Sequence, residues 1–267
     1  MKYTFEIEKI VNYLEQFKND LPNLYTWKVK IEKLNDLGVF DLKEIEKLNE
    51  LNSYEREIIL KDRINNKLHQ SYKNDRDNFN KLCLWIIKDW GGILTAKDDK
   101  DTTELVSTFL NSDKPSYKRI ASASKVGAFM YPEKYIIYDS RVAYSLNWII
   151  LSENAGNFYF PIPNGRNSKM AAFDMNVLIR MRNINHYHPK DIHELDNRQH
   201  IKKKDKSVYI PENESYTELN KLIREINNKL WENNKSDKLF YTEMLLFSIA
   251  DREIFKEITE KIGLTLK

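Results

Sequence analysis

Glycine and proline are scarce in this chain, with seven of each among 267 residues. β-Sandwiches and barrels need turn residues between many short strands, so this supply argues against them. Apolar residues three or four apart dominate instead, which is the spacing of helix faces. Phe5, Ile7, Ile10, Val11, Leu14 and Phe17 predict a helix over 4–17. Leu42, Ile45, Leu48 and Leu51 predict another, and Asn52 with Glu55 resembles a capping box opening a helix towards Leu68. From Asp77 to Trp90 the chain is apolar on most faces, so that helix should sit at the centre of its domain. Gly91-Gly92 closes it and is the sole Gly-Gly pair. No G-x-G-x-x-G or G-x-x-x-x-G-K-[ST] occurs, which argues against a Rossmann domain or a P-loop.

The second half continues in the same way. Asp101 with Glu104 signals a cap for a helix to Leu110. Pro115 suits a first turn, so a helix is predicted from Ser116 to about Met130, stopped by Pro132. Tyr135 to Tyr138 reads as an apolar connector, and Asp139 and Ser140 are both N-cap candidates for a helix from Arg141 to Leu151. Residues 152–170 read as a loop, Ala171 to Arg182 as a helix, and 183–215 as a polar surface excursion. Ser215 to Trp231 and Thr242 to Ile262 close the chain as two helices. Trp27 to Glu32 alternates, which fits a short strand or a helix start equally. The fold class is therefore all-α or mostly α.

Several functions are excluded by what the chain lacks. One cysteine, Cys83, cannot form an internal disulfide, a Cys-rich zinc site or an iron–sulfur cluster. His186, His188, His193 and His200 lie in a polar stretch without fixed helical spacing, so no metal site is read there. Acid at Glu6 comes too early for a signal peptide, and no apolar run is long enough to span a membrane. A cytoplasmic protein with no membrane partner is the expectation.

Net charge is only +3, so the distribution of charge must speak. Residues 111–150 hold six basic side chains (Lys114, Lys118, Arg119, Lys125, Lys134 and Arg141) against three acidic ones (Asp113, Glu133 and Asp139). Small residues at 121–124 allow close approach of a phosphate. A helical lysine follows, and fourteen residues later an aspartate opens the next helix.

This segment resembles the catalytic region of the helix–hairpin–helix DNA glycosylase superfamily, and most of all its bacterial 8-oxoguanine-glycosylase-like branch. Lys125-Val126 matches the lysine that ends the hairpin there. Asp139-Ser140-Arg141-Val142 matches the aspartate across the cleft, and Tyr131-Pro132-Glu133-Lys134-Tyr135-Ile136-Ile137-Tyr138 its aromatic approach. Tyr241 to Phe247 is similar to the closing helix. The match covers about 30 residues plus that tail. Ala121-Ser122-Ala123-Ser124 stands where the superfamily reads Gly-x-Gly before the lysine. Either the hairpin is remodelled or the helix runs straight through.

The resemblance implies a two-lobed helical fold with the cleft between lobes. It divides the chain into an N-terminal helical region (1–110), a catalytic helix–turn–helix (111–151), an insertion (152–215) and C-terminal helices (216–267) packing with the N-terminal lobe. It implies base flipping and cleavage of an N-glycosidic bond. Asp139 would stabilise the sugar cation and Lys125 would be a candidate Schiff-base nucleophile. Lys118, Arg119, Ser122, Ser124 and Arg141 would contact DNA. Tyr138, Tyr144, Trp148, Tyr241, Glu243 and Phe247 would line the base pocket. Taken one by one, the aromatics are as well explained by core packing, Asp139 by capping, and Glu243 by an ion pair. The implied partner is duplex DNA bearing a modified base, either oxidised guanine or a hypermodified phage cytosine, with no cofactor and no obligate protein partner. The rivals are a DNA-binding module without catalysis and a metal-dependent restriction-type nuclease. The nuclease needs Asp…Glu-x-Lys on strands, and no convincing strand pair is visible.

Overall fold

A computed structural model describes residues 2–94, 98–164, 167–182, 193 and 206–261. It is helical throughout, and β-structure among the described residues is limited to two isolated bridges, Phe5 with Gly156 and Tyr159 with Tyr209. No described helix is long and apolar enough to cross a membrane.

Several helices begin where a side chain satisfies one of their first amides. Helix α1 (Ile7–Lys18) is followed by the short α2 (Leu21–Leu24) and α3 (Lys33–Asp36). α4 (Leu42–Glu50) opens on a full capping box between Asp41 and Glu44, and α5 (Ser53–Asn74) on Asn52, whose side chain accepts from Glu55 N. α6 (Arg76–Trp85) widens into a π-helical turn over Ile86–Trp90, where Gly91 N donates to Ile86 O at 2.9 Å. Such widened turns often mark functional sites. α7 (Asp99–Leu110) is capped by Asp98 and not by Asp101. α8 (Ile120–Met130) and α9 (Ser140–Ser152) flank the 131–139 connector. α10 (Ser168–Ala172), α11 (Met175–Arg182), α12 (Glu212–Leu230), α13 (Phe240–Ile249) and α14 (Glu253–Lys261) complete the chain.

Four expectations change. Residues 27–32 form neither strand nor helix apart from a turn at Glu32. The helix expected from Ser116 starts at Ile120, because Arg119 takes a left-handed conformation (φ +55°) that breaks any helix before it. Ala121 to Ser124 lie inside α8, so the helix runs straight through the place of the Gly-x-Gly, and the chain turns before it, over 111–119. The helix expected from Ala171 is split into α10 and α11, with Asp174 Oδ1 accepting from Asn176 N at 2.8 Å to open the second. The closing helix likewise splits at residues 250–252 into α13 and α14.

The buried apolar residues divide into two clusters. One joins α1, α9, α12, α13 and α14 through residues such as Leu14, Ile149, Leu219, Leu245 and Ile258. The other joins α3 to α6 through Leu34, Leu60, Ile64 and Leu82. α8 and the connector contribute to both: Ile120, Ala123, Ile136 and Tyr138 to the first, Val126, Phe129 and Ile137 to the second. α1 thus packs on the C-terminal helices, and α8 stands between the clusters. Gly127 makes this crossing close, since a Cβ there would lie 2.5 Å from the Phe109 ring of α7.

Candidate functional site

Lys125 lies in the middle of α8 and is only 4% exposed. Its ammonium donates to Ala121 O at 3.0 Å and lies 3.5 Å from Asp139 Oδ2. Asp139 divides its carboxylate between two tasks. Oδ1 accepts from Arg141 N at 2.9 Å, capping α9, and Oδ2 faces the lysine. The capping and catalytic roles read from sequence are compatible on one side chain.

The connector before Asp139 has no secondary-structure partner, so its amides must be satisfied otherwise. Side chains from three helices do this, each at 2.9 Å. Ile136 N donates to Asn220 Oδ1, Ile137 N to Glu243 Oε2, and Tyr138 N to Ser124 Oγ. The Tyr216 hydroxyl donates to Ile136 O at 3.0 Å. Asp139 therefore stands on a braced segment.

Lys125 and Asp139 lie at the junction of two spaces. The inner one is a cavity of about 40 Å³ walled by Tyr25, Trp27, Trp90, Ile137, Val142, Met244 and Phe247, with Glu243 among its polar groups. That is room for water but not for a large ligand. The outer one is an open cleft of about 530 Å³ bordered by Ala121, Ser122, Arg141, Asn164 and Asn167. Trp27, Gly91, Lys125, Asp139 and Phe247 border both. The aromatic wall is itself fixed. Trp27 Nε1 donates to Trp90 O at 3.0 Å, its ring meets Phe247 edge-on at 5.7 Å, and Trp90 Nε1 donates to the buried Glu57 carboxylate at 3.1 and 3.2 Å. Burial pushes the Glu243 carboxyl up, against the pull of Lys61, the Ile137 N–H and Lys125. Burial, with Glu57 and Glu243 nearby, also holds the Tyr25 phenol well above its ordinary range.

Of the six side chains assigned to the pocket, Glu243 and Phe247 line it and four do not. Tyr138 is fully buried on the other side of the connector, its hydroxyl donating to Pro161 O at 2.8 Å. Tyr144 donates to Phe173 O at 2.8 Å. Trp148 faces α14, with Nε1 donating to Glu257 at 2.9 Å. Tyr241 borders a separate surface groove with Trp231 and Tyr54, where burial pushes its phenol up to about 12.

The basic residues divide similarly. Ser124 is wholly buried and spent on Tyr138 N, so it cannot touch DNA. Ser122 and Arg141 border the outer cleft, and Arg141 is partly neutralised by Asp251 at 3.3 Å. Lys118 is exposed, and Arg119 is tied to Asp101 and Thr102, so neither borders the cleft. His186, His188 and His200 lie outside the described residues, and His193 is exposed. Among the described residues no three His, Cys, Asp or Glu side chains gather as a metal set.

Sequence reasoning missed Tyr25, Trp27, Trp90 and Gly91. The available signal was a tryptophan directly before the lone Gly-Gly pair. Gly91 is a steric requirement: a Cβ there would lie 2.7 Å from Cδ and Cε of Lys125 and 2.8 Å from Ile87 O. Gly91→Ala should therefore displace the lysine stem or the π turn. The expected result is a folded protein whose Lys125 reacts with an aldehyde and borohydride at least about 10-fold differently from wild type, since misplacement by about 1 Å at a reacting group costs more than that. Peptide mapping of the modified lysine checks it.

These features have no counterpart to borrow from. The chain matches no protein-family model, no curated protein and no solved structure.

Proposed function

We propose that this chain is a DNA glycosylase that extrudes a modified base and cleaves its N-glycosidic bond. The observation that carries this reading is the placement of the Lys125–Asp139 pair, 3.5 Å apart, between an aromatic inner cavity and an open outer cleft. An extruded nucleotide needs this order: base inside, sugar at the pair, backbone outside. The two-lobed arrangement belongs to the same proposal, with the two core clusters as lobes and α8 at their seam.

The chemistry follows from charge. As the bond from C1′ to the base nitrogen breaks, its electrons leave with the base and positive charge grows on the sugar. The Asp139 carboxylate, 24% exposed, stabilises that charge from nearby. In one route the Lys125 ammonium gives a proton to Asp139 and the freed amine attacks C1′ as the base leaves, the departing base taking a second proton from that nitrogen; the C1′–O4′ bond then breaks, O4′ takes the proton held by Asp139, and the nitrogen lone pair completes a Schiff base. In the other, Asp139 takes the proton of an attacking water. Glu243 offers an acceptor for an N–H of the base. Trp27 and Phe247 stand at the entrance, and a nucleobase needs more room than the 40 Å³ cavity offers, so entry requires their edge-on contact to part and the Trp27 hydrogen bond to Trp90 O to break. Oxidised guanine and a hypermodified cytosine remain the two substrate classes, the second tying the protein to phage defence.

The test is direct. Duplexes each carrying one modified base, and phage genomic DNAs, are incubated with the protein in excess chelator, and released base is measured. Release from at least one substrate, unchanged by the chelator, is the expected result. Cutting that requires added magnesium would instead support a nuclease.

Electrostatics supply a second expectation. Arg141 borders the cleft, whereas Arg119 is held by Asp101. Arg141→Ala should reduce the slope of log affinity against log salt by about 0.9, the loss of one phosphate contact. Arg119→Ala should change it much less. Equal slopes for wild type and Arg141→Ala would place the DNA path elsewhere.

A further inference from the structure

Beneath the inner cavity lies an ion pair that the chemistry above does not use. Glu57 and Lys61 stand one turn apart on α5, 2% and 3% exposed, with Lys61 Nζ 3.6 Å from Glu57 Oε1. The ammonium has no hydrogen-bond acceptor. It is held by that pairing and by the ring faces of Phe129, Trp90 and Phe240 at 4.5, 5.1 and 5.3 Å. Desolvating two charges generally costs more than their attraction returns, and apolar side chains of similar volume would pack as well. The Trp90 indole needs only an acceptor, which an amide would supply. The charges therefore call for another reason.

The group that would use them is Glu243. It stands one turn beyond Phe240 on α13, whose ring the Lys61 ammonium touches. Glu243 Oε2 accepts from Ile137 N, while among the described residues no donor bonds its other oxygen, and the side chain lines the cavity. We infer that the buried Glu57–Lys61 pair sets the charge of Glu243, Lys61 holding it as a carboxylate so that its second oxygen can accept an N–H from the ligand. Only the ligand's identity as a DNA base rests on the glycosylase reading.

The groups facing Glu243 can be ranked by element. Lys61 and Glu57 come from α5, Lys125 from α8, and the Ile137 N–H from the connector; Asp139 lines the same cavity, and the phenols of Tyr25 and Tyr216 are adjacent. Burial opposes the carboxylate most, Lys61 is the strongest counterweight, and Glu57 acts weakly with burial. The signs follow. Glu57→Gln removes a negative charge and should let Glu243 ionise at lower pH. Lys61→Met removes the counterweight and should make it ionise at higher pH. Either single variant leaves one charge buried without its partner and threatens folding. The double variant Glu57→Gln with Lys61→Met avoids this and should still shift upwards, because the lysine is the larger influence.

The full chain, labelled at glutamate carboxyl carbons, gives a titration by carbon NMR, with the Glu243 signal assigned by its loss in Glu243→Gln. The expected midpoints fall in the order Glu57→Gln, wild type, double variant, with the double variant about one pH unit above wild type. A structural pair would not move the midpoint in opposite directions. Coincident midpoints in folded variants overturn the inference. The acid limb of KM for base release should follow the same order. If no duplex yields a released base, the glycosylase reading fails, while the NMR order still decides the role of the pair.

Discussion

The Asp139→Asn protein should fold, bind duplex DNA and release base about 100- to 1,000-fold more slowly than wild type, the size of losing one preorganised electrostatic stabiliser. Folding should survive because asparagine caps helices as well as aspartate, and the Oδ1 bond to Arg141 N is kept. What disappears is the negative charge at Oδ2, 3.5 Å from Lys125. That charge is needed in both routes, since the sugar cation forms whichever nucleophile attacks. Single-turnover base release at saturating enzyme, with circular dichroism as the folding control, checks it. Wild-type release from the folded variant would remove Asp139 from the mechanism and most of the case for a glycosylase.

Lys125→Gln separates the two routes. With the wild type, borohydride should trap a covalent adduct between Lys125 and the sugar of a substrate duplex, and the variant should yield none. Lysine at this position is costly for stability, being 4% exposed with one carbonyl and one carboxylate as polar partners. A neutral amide relieves that cost, so the variant should be at least as stable to urea as the wild type. Loss of activity with a retained fold would thus point to the amine itself. If the wild type releases base without any trapped adduct, water is the nucleophile, and Lys125 serves only to hold Asp139 in place.

The sequence made some of this legible because some of it is local. Helices α5 and α9 follow from their caps and α4 and α12 from apolar spacing, which need only neighbouring residues. Lys125 and Asp139 were singled out by the resemblance of their local motifs, and the structure brings them within 3.5 Å of each other. The pocket wall was not found, because it is assembled from distant segments. Trp27 and Trp90 meet through one hydrogen bond across 63 positions, and nothing nearby in sequence tells a cavity tryptophan from a core one. The misplaced aromatics have a geometric cause. In an extended connector neighbours point oppositely, so Ile137 in the cavity sends Tyr138 away from it. On α13, Glu243, Met244 and Phe247 share a face, and Tyr241 falls on its flank, where it borders the separate groove with Trp231, since each residue turns about 100°. On α9, Val142 faces the cavity, and Tyr144 and Trp148 therefore do not.

The braces on the connector carry a consequence for how activity is acquired. The amides of Ile136 and Ile137 are held by Asn220 and Glu243, which lie 84 and 106 positions further along the chain. During synthesis a ribosome would have released Lys125, Asp139 and α9 long before either brace existed. Contacts of such separation close late, after their loop entropy has been met. A nascent or truncated chain lacking α12 and α13 should therefore hold both reactive side chains and yet be chemically silent. Whatever reactivity the Lys125–Asp139 pair has then becomes a readout of completed folding, so that no partly made copy carries an assembled site.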